Sequence, residues 1–203
     1  MVHEKQKVMS SKEHILAAIK KNKPEATALP DHLSYPTDDM DRLIGQFQQA
    51  SLLNGGKTIV IKSIEEIPSY LQVHFDKNLQ IVSLINELEG SLDINTVLDP
   101  HDLEAVELAV LKGTWAAAEN AAIWMPEENL IHRALPFIAQ HLAVVIESRH
   151  LVRDMHAIYE KINVNEPGYG VFIAGPSKTA DIEQSLVIGA HGPRSMTVFL
   201  LKE

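Results

Sequence analysis

The residues best suited to chemistry lie close together near the C-terminus, where Gly175-Pro176-Ser177-Lys178-Thr179-Ala180-Asp181 is followed by His191-Gly192-Pro193-Arg194. The hydroxyls of Ser177 and Thr179, the Lys178 ammonium and the free amides of a helix start could hold a carboxylate or phosphate. A plainer use also exists: Ser177 or Thr179 caps the helix, and Asp181 complements its dipole. His191 and Arg194 read as a rigid turn whose arginine pairs with an acidic residue, or as a subunit or partner interface. Upstream, Glu119 follows Ala116-Ala117-Ala118 and is joined by Asn120, with Trp124 nearby in sequence. A glutamate tucked among alanines would have a raised pKa and serve as acid or base; otherwise neighbouring amides satisfy it. Arg133, just before Leu135-Pro136, either clamps an anion or pairs with Glu127 or Glu128.

These side chains need elements to carry them. An apolar run at 171–174 breaks at Gly175-Pro176-Ser177, a helical pattern continues to Ile188, Gly189 stops it, and a second apolar run begins after Arg194. Two buried strands joined by one helix make a parallel βαβ unit. Ligands in open α/β sheets lie outside the carboxyl ends of the strands, which is where Ser177 falls. A helix of about ten residues spans roughly 15 Å, so His191 and Arg194 fall at the opposite pole and share no pocket with Ser177.

Earlier in the chain, Ser10 and Glu13 form a capping box before Ile15, Leu16 and Ile19, and prolines 24, 30 and 36 come after them. Residues 1–37 therefore read as a helix and a proline-containing tether, and residues 38–203 as the main domain. Met40, Leu43, Ile44, Phe47 and Ala50 recur at helical spacing and Asn54-Gly55-Gly56 ends that helix. Ser63 and Glu66 form a second capping box, with Pro68 expected to kink or restart the helix it opens. Strands are expected at 58–61, 79–84, 106–111, 121–125 and 141–146, and Val152, Met155, Tyr159 and Ile162 line a helix face. Short strands, apolar on both faces and separated by helices, indicate an α/β fold with a mostly parallel twisted sheet and flanking helices.

The 203 residues carry 18 basic and 27 acidic side chains, a formal charge of −9, which disfavours nucleic acid. With no cysteine there is no disulfide, thiol nucleophile or cysteine-ligated cluster. The ten histidines show no H-E-x-x-H and no pair at i, i+4, so no metal site is expected. Neither a dinucleotide fingerprint nor a P-loop occurs. No stretch resembles a signal peptide or membrane span, so a cytoplasmic protein is expected; self-association stays open.

The run Gly175-Pro176-Ser177-Lys178-Thr179-Ala180-Asp181-Ile182-Glu183-Gln184, continued by Gly189-Ala190-His191-Gly192-Pro193-Arg194, closely resembles the C-terminal signature of the lactate-utilization (LUD) domain family. In weaker form the resemblance covers about residues 38 to 203. The family's small-residue run ending Glu-Thr-Gly-Thr corresponds to Glu119-Asn120-Ala121-Ala122, and its arginine before Leu-Pro-Pro corresponds to Arg133. The resemblance implies a fold like that of ribose-5-phosphate isomerase, glucosamine-6-phosphate deaminase and the CoA transferases (NagB/RpiA/CoA transferase-like). It also implies a setting in the oxidation of L-lactate to pyruvate, beside two iron–sulfur partner proteins that hold the clusters. On that basis Ser177, Lys178, Thr179, Asp181, Glu119 and Arg133 are expected to surround a small carboxylate or phosphate. The alternatives are a stand-alone isomerase-like or CoA-transferase-like enzyme working through Glu119, and a structural docking protein.

Overall fold

Hydrogen-bonding side chains cap the helices that begin at Ser11, Met40 and Met155. The computed structural model describes residues 10–27, 39–76, 78–164, 168–179 and 187–202, and the chain divides into two units, Met1–Pro36 and Thr37–Glu203. In the first, the Ser10 hydroxyl accepts from the Glu13 N–H and the Glu13 carboxylate accepts from the Ser10 N–H, which opens helix α1 (Ser11–Lys21). Its apolar residues Ile15, Leu16 and Ile19 are exposed.

The second unit begins with α2 (Met40–Leu53), capped by Asp39, then β1 (Lys57–Ile61) and α3 (Glu66–His74). Glu66 accepts the N–H groups of Lys62 and Ser63. Pro68 sits in the first turn of α3, where its missing N–H costs nothing, so it neither kinks nor restarts the helix. Next come β2 (Gln80–Ser83), β3 (Val106–Lys112), β4 (Trp115–Ala117), β5 (Ile123–Pro126), α4 (Leu135–Ile138) and β6 (His141–Glu147). The chain ends with β7 (Leu151–Val152), α5 (Met155–Tyr159), β8 (Gly170–Ile173), β9 (Lys178–Thr179), β10 (Val187–Ile188) and β11 (Ser195–Leu201).

The central sheet has the order β1-β11-β6-β3-β2 and every pair in it is parallel. Alternation along its strands feeds two cores, as the two-residue period requires. Ala109, Leu111, Leu142, Val144, Met196 and Val198 pack with Leu43, Ile44 and Phe47 of α2. Leu108, Val110, Ala143, Val145 and Phe199 pack on the other face with Ile67 of α3. A second sheet, β7-β4-β5-β8, joins the first of these cores through Ala116, Ile123 and Met125. The chain passes from one sheet to the other at Gly113, where an added Cβ would lie 2.5 Å from Ile123 Cγ2.

The C-terminal stretch departs from the expected parallel βαβ unit. β8 belongs to the second sheet and runs antiparallel to β5, while β11 lies inside the parallel sheet. In place of the two ends of a helix, β9 and β10 pair as an antiparallel ribbon, Val187 opposite Thr179 and Ile188 opposite Lys178. Residues 180–186, including Asp181, lie outside the described residues. Apolar runs of this length specify buried strands without specifying which sheet takes them. The helical face expected through Val152 also shortens, to α5, because Leu151–Val152 pairs with β4.

Candidate functional site

The carboxyl ends of the parallel strands converge on a polar cluster that results directly from where the apolar runs stop. β3 ends on Lys112 and β6, its neighbour, on Glu147. Lys112 Nζ lies 3.3 Å from Glu147 Oε1, and only 15% of the Glu147 side chain is exposed. Arg149, two residues on, pairs with the other oxygen of the same carboxylate, as a close ionic approach lacking the alignment of a hydrogen bond. Burial alone would raise the Glu147 carboxyl. The hydrogen bond and charge of Lys112, with the charges of Arg149 and His150, outweigh it and hold the group below the usual carboxylate range. His150 lies against Trp115, ring centroids 4.9 Å apart, and its buried Nδ1 has no hydrogen-bond partner.

Lys112 stands between two cavities. One of about 180 Å³ is lined by Lys112, Glu147, Asn86, Val145 and Leu201 among others. The other, of about 460 Å³, shares Leu84, Ile85, Asn86 and Lys112 and extends towards Asp93, Glu128 and Asn129. Asn129 fixes the exit from β3: its Nδ2 donates to the Lys112 carbonyl and to Thr114 Oγ1, both at 3.0 Å. Ile131, on the rim of the larger cavity, has φ 57°, a conformation disfavoured for a β-branched residue. The arrangement offers one cation for a carboxylate, the ionised Glu147 as hydrogen-bond or proton acceptor, an amide, and a second carboxyl group, Glu87, on the wall of the smaller cavity. It lies where open parallel sheets bind ligands.

The residues singled out from the sequence do not form this site. Ser177 and the 191–194 turn, expected at opposite poles, are in contact: the Ser177 N–H donates to the Pro193 carbonyl at 2.9 Å and its hydroxyl donates to the His191 carbonyl at 3.1 Å. Arg194 donates from Nε and a terminal nitrogen to Gln140 Oε1, at 2.9 and 2.6 Å, so its partner is an amide rather than an acid. Gln140 and Arg194 immediately precede β6 and β11. Pro176 and Lys178 lie beside Gly55, two residues before β1. The Gly-Pro-Ser turn is therefore at the amino pole of the parallel sheet, not the carboxyl pole. Lys178 is exposed and Thr179 is half-buried in the ribbon.

Glu119 is exposed rather than buried among alanines, and its Oε1 accepts the Met155 N–H at 2.8 Å, the backbone-amide alternative. The carbonyl of its neighbour Asn120 accepts from Asn54 Nδ2 at 2.8 Å, which draws this turn towards the same pole as Ser177. Arg133 forms a two-pronged pair with Glu127, at 2.6 and 2.9 Å, and its guanidinium lies 4.9 Å from the Tyr169 ring. The hydrogen bond from Arg133 holds the Glu127 carboxyl below its ordinary value. Glu127 and Tyr169 mark the Pro126–Gly170 end of the β5–β8 pair, and the ion pair with Glu127 holds Arg133 at that end. Asn54 thus links the Glu119–Asn120 turn to the Gly175-Pro176-Ser177 turn, while Arg133 is engaged by Glu127 and Tyr169.

What the sequence reading missed is Lys112, Glu147 and Arg149. The signal was present, since each of two apolar runs, 108–111 and 142–146, ends directly in a charged residue. Among the described residues no group of three or more histidines, aspartates or glutamates could hold a metal, and no helix is long and apolar enough to cross a membrane.

Comparison with known proteins places this geometry in a family. The chain is 27% identical over 179 residues to lactate utilization protein C of Anoxybacillus flavithermus, an alignment covering 85% of this chain and 76% of that protein. It is 32% identical over 173 residues to lactate utilization protein C of Geobacillus kaustophilus, covering 80% and 70%. A crystal structure of a DUF162 family protein from Deinococcus radiodurans superposes with a TM-score of 0.59 at 15% identity, covering 80% of this chain and 98% of that one, a likeness of fold. The family model for the LUD domain matches residues 100–201, a span that runs from before β3 through β11. The protein is a member of the LUD domain family.

Proposed function

We propose that this protein serves lactate utilization as a cytoplasmic ligand-binding subunit of an L-lactate-oxidising assembly. The names of its relatives support the setting. The observation that carries the ligand assignment is the Lys112–Glu147 pair in a cavity of about 180 Å³ outside the strand ends. A 2-hydroxy acid is small enough for that space. Lys112 pairs with its carboxylate, and ionised Glu147 accepts the hydrogen bond of its 2-hydroxyl, aided by Arg149 on the far oxygen. With no cysteine in the chain, iron–sulfur clusters belong to partner proteins that receive the electrons.

The test is genetic and biochemical together. Cells whose own copy carries Lys112→Met or Glu147→Gln should grow on another carbon source and fail on L-lactate, while the tagged wild-type protein co-purifies iron–sulfur proteins. Normal growth of both variants on lactate would refute the ligand role. A tagged protein free of such partners would refute the assembly.

The same carboxylate favours a second reading, a stand-alone acyl or CoA transferase in which Glu147 is the nucleophile. Turnover of acyl-CoA by the purified chain alone, abolished in Glu147→Gln, would select it.

A further inference from the structure

At the amino pole, three neighbouring strands of the parallel sheet each place one chemically competent residue at the same level. Ser195 opens β11, His141 opens β6 directly opposite it, and Glu107 stands on β3, next to the Leu108 that pairs with His141. His141 Nδ1 lies 2.7 Å from Ser195 Oγ, and its Nε2 lies 3.6 Å from Glu107 Oε1. The second distance is within ion-pair reach and longer than a hydrogen bond, as catalytic contacts commonly are before substrate arrives. All three line one cavity of about 430 Å³, where the His141 and Glu107 side chains keep 26% and 29% of their surface exposed. This is a nucleophile, a base and an orienting carboxylate in series.

The rest of the cavity suits that use. Lys57 faces it, with Nζ 3.5 Å from the Tyr70 hydroxyl. Phe75, whose ring centroid is 5.4 Å from that of His141, supplies an apolar wall with Met196. His141 is held below its ordinary value by burial, with Arg194 adding and Glu107 opposing, so at neutral pH the imidazole is free to take a proton. Lys57 and His74 are the other basic side chains on this cavity.

We propose that Ser195, His141 and Glu107 form a hydrolytic relay acting on short-chain acyl esters. Ser195 Oγ attacks the acyl carbonyl and its proton passes to His141. The carbon–oxygen bond to the leaving alcohol breaks, and His141 returns the proton to that oxygen. Water then attacks the acyl-serine, giving its proton to His141, which restores it to Ser195 as the free acid departs. The sum is ester plus water giving acid plus alcohol. Lys57 stabilises the oxyanion. Glu107 touches no substrate and is a positioning residue that keeps the ring turned towards Ser195.

The purified full-length protein is incubated with a fluorophosphonate probe, and the modified residue is located by peptide mass spectrometry. The expected result is stoichiometric labelling of Ser195 in the wild type, slowed about 100-fold or more in His141→Gln. Hydrolysis of p-nitrophenyl butyrate should depend on the same residues. Glu107→Gln should shift the acidic limb of the pH–rate profile downwards, a change that a merely structural role would not produce. Absence of label on wild-type Ser195, or equal labelling in His141→Gln with an unchanged melting temperature, overturns the relay. The wild-type result needs no variant to fold, and its failure leaves the lactate site at the other pole untouched.

Discussion

Lys112 and Glu147 owe their importance to position. Each closes an apolar run at the end of its strand, and the parallel register of β3 and β6 brings the two together at the carboxyl pole of the sheet. The depressed Glu147 carboxyl has a consequence for stability. A group whose folded value lies below its unfolded value of about 4.3 adds stability above that pH and loses it as pH falls through the folded value. Glu147→Gln should therefore lose stability relative to wild type at neutral pH, with the gap closing as the solution is acidified below about pH 4. Urea denaturation of both proteins from neutral pH into that range measures it. His141 has the same sign for a different reason. Its folded value is lowered, so its contribution is complete above about pH 6.5 and is lost as pH falls through the folded value. An NMR titration should find this imidazole titrating below the exposed His101, whose own value is raised by its hydrogen bond to Asp99.

At the level of elements, the strands were legible because burial on both faces writes continuous apolar runs. His141–Glu147, with Leu142 through Ile146 buried, is the clearest case. The helix cap at Ser10 was equally readable, from the spacing of Ser10 and Glu13. The C-terminal stretch was not, because Gly175 and Gly189 both adopt left-handed backbone, φ +91° and +76°, and turn the chain into a ribbon where a helix cap and stop had been expected. Position alone does not distinguish a glycine that ends a helix from one that starts a ribbon. The turn places Ser177 at the amino pole of the parallel sheet, against the carbonyls of His191 and Pro193. Gly175 also has a tight neighbour: a Cβ there would lie 2.8 Å from the Asn54 carbonyl oxygen. Gly175→Ala should therefore cost about 1–3 kcal/mol, seen as a lowered urea midpoint at unchanged slope. A wild-type midpoint would show that the turn gives way freely.

On the scale of the whole molecule, the parallel sheet separates two polar clusters. The carboxyl pole carries the lysine–glutamate pair, and the amino pole carries the Ser177–Arg194 cluster and the Ser195–His141–Glu107 relay. The family was legible because its signature is a run of specific residues. The Lys112–Glu147 pair was not, because strand ends meet only in three dimensions and no local spacing records that contact. Since Thr37–Glu203 contains both cores as a unit of its own, a chain beginning at residue 37 should unfold cooperatively with a melting temperature close to that of the full protein. A broad or missing transition would show that the first unit is needed for folding. The most direct measurement for the ligand assignment is isothermal titration of L-lactate into the full-length wild type and Lys112→Met, with chloride at matched ionic strength as control. Binding by the wild type that weakens at least tenfold, about 1.4 kcal/mol, in Lys112→Met is the expected result. Equal binding by both proteins, or no binding by the wild type at millimolar lactate, would contradict a lactate site built on Lys112.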